Sequence, residues 1–317
     1  MNTPRRSGLN STALALIPLA IAINIAGGQL VKTLRLPIYL DSIGTVLTGA
    51  LLGPWIGLIT GLLSNGIWTL IGLDQFAWSF AAVAGAIGLL AGFAGRLGVF
   101  QRPSPRWLSA IIGGVFLFAL TLFVMFFIYP LRGTPGDYEN SLAPNNPNYA
   151  AGVLVHGDPT FEKAYIFPGD PGYDEGSPLL AQAADVIASQ PLIFLIAAIV
   201  GAALGYAVLQ NAGYAGLAGL LTGVAAAVVS APIAAYVFGG VTGSGTDALV
   251  AAFRASGANI LASAFAQGTV SDPFDKMTSF MVVYLIIQSL PRRLLQRFPN
   301  AQAALESTPV TRATTNR

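Results

Sequence analysis

The sequence predicts an all-α, polytopic transmembrane bundle, and three observations carry that prediction. Of 317 residues, 54% are hydrophobic and only 9% are charged, whereas a soluble domain carries about 25% charged residues. Apolar runs near 20 residues, the length that crosses a bilayer as a helix, recur along the chain. Glycine is frequent, at 36 residues, and recurs at three- and four-residue steps inside those runs. So few ionic groups cannot cover a water-exposed surface, but a lipid-facing surface favours their absence.

The runs place candidate spans at 12–31, 38–52, 55–73, 77–99, 108–130, 188–209, 213–238 and 271–290, about eight in all. The second and third are joined only by Gly53-Pro54, which reads as a tight hairpin. Residues 246–268 are helix-like but hold Asp247, Arg254, Asn259 and Gln267. They read as a surface-lying, re-entrant or bundle-buried helix. Arginines set the expected orientation, because short cytoplasmic loops are enriched in Lys and Arg. Arg5 and Arg6, then Arg96, Arg102 and Arg106, then Arg292, Arg293 and Arg297 fall on one face of an eight-span chain. That face is expected to be cytoplasmic and to hold both termini, in the cell membrane. Lys32 and Arg35 then face outward against the trend. The apolar run after Arg6 is expected to be a retained first span, not a signal peptide, because it lacks an obvious small-residue cleavage site.

Four regions follow: N-terminal membrane helices over 1–130, a polar insert over 131–187, C-terminal membrane helices over 188–297, and a tail over 298–317. The insert holds eight of the fourteen acidic residues, and its Pro-Gly and Pro-Asn-Asn-Pro turns break any long helix. Tyr138, Tyr149, Phe161, Tyr165, Phe167 and Tyr173 supply apolar area within it, so the expectation is an ordered extracytoplasmic cap. The tail is expected to be a disordered cytoplasmic end.

Composition excludes several functions. There is no cysteine, so disulfides, thiolate metal sites and cysteine nucleophiles are absent. A single histidine, His156, argues against a His-rich metal centre or a Ser-His-Asp triad in the membrane. The expectation is no enzyme, no cofactor and no metal. The net charge of +2 and the lack of a basic patch give no sign of a nucleic-acid partner. No Walker A ending follows Phe238-Gly-Gly-Val-Thr-Gly-Ser-Gly-Thr-Asp247, although that glycine-rich loop could cradle an anion on backbone N–H groups.

Ionisable and amide residues inside membrane segments are functional candidates by default. Asn24 and Gln29 lie in the outer half of the first span, Asp41 at the outer end of the second, and Asn65 and Trp68 towards the outer end of the third. Asp74, Gln75 and Trp78 follow in and after the next outer turn, Asn259 lies within the ambiguous segment, and Asp272, Asp275 and Lys276 open the last span. The topology gathers these residues near one leaflet. The expectation is therefore a solute-binding chamber open to the outside, built from Asn24, Gln29, Asp41, Asn65, Trp68, Asp74, Gln75, Trp78, Asn259, Asp272 and Asp275. Carboxylates would take a ligand's donors, amides its acceptors, and indoles its flat face. Plainer roles compete: Asp272 before Pro273 reads as a helix start, Lys276 as a snorkelling interface lysine, and the tryptophans as interface anchors. The glycine stripes read first as packing between the chain's own helices.

Two pairs of stretches resemble a known family. Leu36-Pro-Ile-Tyr-Leu-Asp-Ser-Ile-Gly-Thr-Val-Leu47 with Leu52-Gly-Pro-Trp-Ile-Gly-Leu-Ile-Thr-Gly61 resembles the substrate-binding S components of energy-coupling factor (ECF) transporters. Ser230-Ala-Pro-Ile-Ala-Ala-Tyr-Val-Phe-Gly-Gly-Val-Thr-Gly-Ser-Gly-Thr-Asp247 with Ser271-Asp-Pro-Phe-Asp-Lys276 resembles uncharacterised members of that group. The resemblance implies a membrane subunit that captures a vitamin or similar micronutrient from outside. It also implies partnership with a membrane coupling subunit and two cytoplasmic ATPases. The family's first-helix Ala-x-x-x-Ala contact matches Ala22 and Ala26, and its gating first loop corresponds to about 32–40. The usual member has six spans and no large insert, and this chain departs on both counts. The competing expectation is a stand-alone secondary transporter using Asp41, Asp272 or Asp275 as ion-coupling carboxylates.

Overall fold

The computed structural model describes residues 11–34, 38–125, 187–188, 190–255 and 258–300. The insert apart from 187–188, Arg5, Arg6, Arg35, His156 and residues 301–317 of the tail lie outside the described residues. Among the described residues, α-helices occur in the order α1 (Ser11–Thr33), α2 (Ile43–Leu52), α3 (Pro54–Leu70), α4 (Ala81–Arg96), α5 (Arg106–Phe123), α6 (Pro191–Ala207), α7 (Gly213–Tyr236), α8 (Asp247–Ala255), α9 (Ile260–Ser289) and α10 (Arg292–Leu295). A 3-10 turn, Ala77–Phe80, leads into α4, and among the described residues there is no strand.

Among the described residues, four helices are long and apolar enough to cross a membrane: Leu14–Thr33, Ala77–Arg96, Arg106–Phe123 and Gly213–Tyr236. The other apolar segments depart from that length for identifiable reasons. Gly53, at φ +106°, ends α2 after 10 residues and starts α3 with Pro54 at its first turn. At 1.5 Å per residue, α2 is about 15 Å long, roughly half a hydrocarbon core. Nine of its residues, Gly44 to Leu52, are buried, so α2 is a plug inside the bundle.

The last long helix differs most from expectation. It does not begin at Ser271. Asn259 caps it, its side chain accepting a hydrogen bond from the Ala262 N–H at 2.9 Å, and the helix runs 30 residues from Ile260 with Pro273 inside it. The segment 246–268 therefore splits into α8 and the first two turns of α9. Asp272, Asp275 and Lys276 sit in mid-helix, not at a helix start.

Glycines set how closely the helices approach. A Cβ at Gly57 would lie 2.3 Å from the Gly88 carbonyl oxygen, and one at Gly61 would lie 2.2 Å from that of Ala84. These contacts zip α3 antiparallel to α4. Gly113 and Gly205 do the same between α5 and α6, against Gly201 and Ser109. Gly219 and Gly223 of α7 sit on Lys276 and on Asp272-Pro273 of α9, within the most extensive helix pair of the molecule. The stripes are thus internal packing surfaces. Dispersion across such close backbones replaces the hydrophobic drive that lipid does not supply.

The bundle has two distinct ends. At one, Asn300 Nδ2 donates to the Gly49 and Gly92 carbonyls, and Gln288 Nε2 donates to the Phe100 carbonyl at 2.9 Å. Arg96, the turn after it and the end of α9 meet there. At the other end, Phe238 past the end of α7 stacks on Phe80 at 5.5 Å and meets Phe76 edge-on at 5.3 Å.

Candidate functional site

The site forms at the end away from Arg96 and Asn300. It is a cavity of about 130 Å³, where a single water needs about 10–15 Å³. That is room for a small organic solute and not for a peptide. Its walls come from distant parts of the chain: Gly28, Val31 and Lys32 of α1, Ile38, Tyr39, Asp41 and Ser42 of the first loop, Asn65 and Trp68 of α3, and Asp74, Phe76 and Phe80 of the next turn. Val83, Ala84 and Ile87 of α4, Ala226 and Ser230 of α7, the loop 242–245, and Asp272 and Lys276 of α9 close it.

Of the residues expected at a chamber, Asp41, Asn65, Trp68, Asp74 and Asp272 line this one. Gln29 stands just outside the wall, its Oε1 accepting from Trp68 Nε1 at 3.3 Å. Asp275 lies behind the wall and is fully buried.

The others sit elsewhere. Asn24 is an internal tie: Nδ2 donates to Thr45 Oγ1 and Ser64 Oγ, both at 2.8 Å, and Oδ1 accepts from the N–H groups of Gly44 and Thr45. Its hydrogen-bonding capacity is filled by the chain itself. Gln75 and Trp78 are exposed and away from the cavity wall, and exposed Asn259 is occupied as the α9 cap. Arg254 is exposed on α8 and does not reach the cavity.

One charged cluster ties α9 to the first loop. Asp275 Oδ1 accepts from the backbone N–H groups of Tyr39 at 3.2 Å and Leu40 at 2.8 Å. Its Oδ2 meets Lys276 Nζ at 2.5 Å. Lys276 also donates to Ser42 Oγ at 3.1 Å and to Asp41 Oδ1 at 3.5 Å. Lys276 is 3% exposed, so it is not a snorkelling lysine; three internal oxygens occupy its three protons. Leu40 adopts φ +48°, which costs a non-glycine residue about 1–2 kcal/mol. That conformation is held because both neighbouring N–H groups converge on one carboxylate oxygen. A second pair, Lys32 Nζ to Asp74 Oδ2 at 2.7 Å, sits at the partly exposed rim.

The glycine-rich loop after α7 is not a free anion cradle. The N–H groups of Thr242 and Gly243 and the Thr242 hydroxyl all donate to the carboxylate of Asp247, at 2.8–3.1 Å. The chain's own acid occupies the position an external anion would take.

Sequence reasoning omitted Lys276, Tyr39, Ser42, Phe76 and Phe80 from the site. The first had a legible signal: Asp272, Asp275 and Lys276 at spacings of three and four fall on one helix face. The aromatics and Tyr39 carried none, since their approach depends on how α7 and the turn before α4 pack.

Residues 12–157 match the model of a family described as ECF transporter, substrate-specific component. No curated protein and no solved structure matches. The match spans α1 to α5 and so includes Asp41, Asn65, Trp68 and Asp74 on one side of the cavity. The other side, from α7 to α9, lies beyond it.

Proposed function

We propose that this chain, whose residues 12–157 carry the signature of an ECF transporter substrate-specific component, is the solute-capturing subunit of an ATP-driven uptake system. The cavity is the observation that supports this most. It joins carboxylates, an amide, an indole and two phenylalanines from four parts of the chain into one pocket at one end of the bundle. Arg96, Arg102, Arg106, Arg292, Arg293 and Arg297 lie towards the opposite end, and by their bias that end faces the cytoplasm. The pocket then opens outward, as capture from outside requires. The solute is a vitamin-like micronutrient.

No nucleotide-binding motif occurs in the sequence, so ATP hydrolysis belongs to separate subunits. Ala22 and Ala26 are exposed on α1 and form, with Ile25, Leu30, Ile71 and Leu73, a shallow apolar groove on the bundle's outside. That face is the docking surface for a membrane coupling subunit. Small residues allow a partner helix to approach closely, and dispersion is the main attraction available in lipid.

Affinity purification of the chain from its native membrane tests the assignment. It is expected to bring down a membrane coupling subunit and ATPases, and Ala26→Trp is expected to abolish that association while leaving the chain folded. Solute uptake by the lone chain in liposomes, driven by an ion gradient, would instead support a secondary transporter and overturn the assignment.

A further inference from the structure

Hydrogen-bond capacity around the cavity is unevenly used, and the imbalance names the class of solute. This inference rests on the cavity being a solute site, as proposed above. Most side-chain donors at the wall are engaged by the protein. Trp68 Nε1 donates to Gln29, Asn65 Nδ2 to the Ala77 carbonyl, Ser230 to the Ala227 carbonyl and Thr242 to Asp247. Lys276 has three oxygens around it, and Lys32 is paired to Asp74 at the rim.

The acceptors are not so engaged. Asp272 is 4% exposed and lines the cavity. Its Oδ1 accepts from Ser271 Oγ at 3.2 Å, and Ser271 is itself held by Gln267 Nε2 at 2.7 Å. Among the described residues, nothing donates to Oδ2, and no cation lies within ion-pair distance of the carboxylate. Lys276, one turn further along, is turned to Asp275 and Asp41. Asp41 contributes a second carboxylate, held by Lys276 only at 3.5 Å. Counting Asp41, Asp74, Asp272 and the supporting Asp275 against Lys32 and Lys276, the site holds four carboxylates and two ammonium groups.

A buried carboxylate without a counter-charge is costly. It is stabilised by a ligand that brings a positive charge or a strong donor. An anionic ligand would find its potential donors already bound and would add to the excess negative charge. Trp68, Phe76 and Phe80, which also line the cavity, suit a flat apolar body.

We propose that the solute is a small, flat, amine-bearing ring compound, cationic or with a strongly donating amino group, and that Asp272 binds its nitrogen. Carboxylate- and phosphate-bearing micronutrients are excluded from the site.

Thermal melts of the purified full-length chain in detergent test this with matched probes. Benzylamine and aminopyridine carry the amine; benzoate and isonicotinate present a carboxylate on a ring of the same size. The amines are expected to raise the melting temperature and the carboxylates to leave it unchanged. Asp272→Asn is expected to weaken amine binding by about tenfold or more, the loss of one charge-assisted hydrogen bond. If that variant does not fold, the amine–carboxylate contrast on the unaltered chain still decides. Stabilisation by the carboxylates and not the amines would overturn the amine class while leaving a solute site standing. Stabilisation by sodium ions alone would overturn both, since the cavity would then be an ion site. No response to any probe would overturn the amine class, and the solute site would then stand or fall on whether the purified chain retains a bound molecule.

Discussion

Asn24 and Asp272 are both buried polar side chains, and the difference between them separates structure from function at the scale of single residues. Asn24 makes four hydrogen bonds that join α1, α2 and α3. Nothing remains for a ligand, so its role is to fix the entry of α2. Asn24→Ala leaves the Gly44 N–H and two hydroxyls without their partner, at about 1–3 kcal/mol for each buried group that stays unsatisfied. The expected outcome is a clear drop in melting temperature with solute affinity per folded molecule unchanged. A large affinity loss at unchanged stability would contradict this role. Sequence alone marked Asn24 and Asp272 equally, because both are polar residues in apolar runs. Only the partners each one finds, twenty to forty residues away for Asn24 and absent for Asp272 Oδ2, tell them apart.

Among elements, the first loop and α9 act as a pair. Asp275 grips two backbone N–H groups of the loop and Lys276 grips Ser42 and Asp41, and the Tyr39 hydroxyl adds a bond to Thr246. Leu40, in its left-handed conformation, stays there only while that grip holds. Asp275→Ala is expected to release residues 38–42, read as faster amide hydrogen exchange and proteolysis confined to that loop. Solute dissociation is expected to quicken with it. Unchanged exchange in the loop would show that other contacts hold it.

This pairing was half legible. Pro37 to Gly44 stood out in the sequence by its acid and its resemblance to a gating loop. The α9 side was misread because Asp272-Pro273 carries the usual signals of a helix start. Those signals were overruled by an earlier cap, Asn259. The helix tolerates an internal proline at that point, where the Gly223 backbone of α7 packs directly against Asp272-Pro273.

For the whole molecule, composition and periodicity were enough to give an all-helical membrane bundle and the glycine-lined packing of its helices. They did not give the length of α2: the expected span 38–52 is helical only from Ile43, because residues 38–42 form the loop held by α9. That late start matters functionally. A helix that covers only the arginine-end half of the bundle leaves the other end unfilled, and the first loop, Trp68 of α3 and α9 close around the space. The convergence of acids at one end was legible from topology; which of them face a shared void was not.

The account stands on that void holding a solute. Native mass spectrometry of the gently purified chain tests it most directly, beside an Ala84→Phe variant that fills the cavity from the α4 wall. The prediction is a small molecule retained at one per chain by the unaltered protein and absent from the filled one. A bound molecule retained equally by both, or by neither although uptake persists, would contradict it.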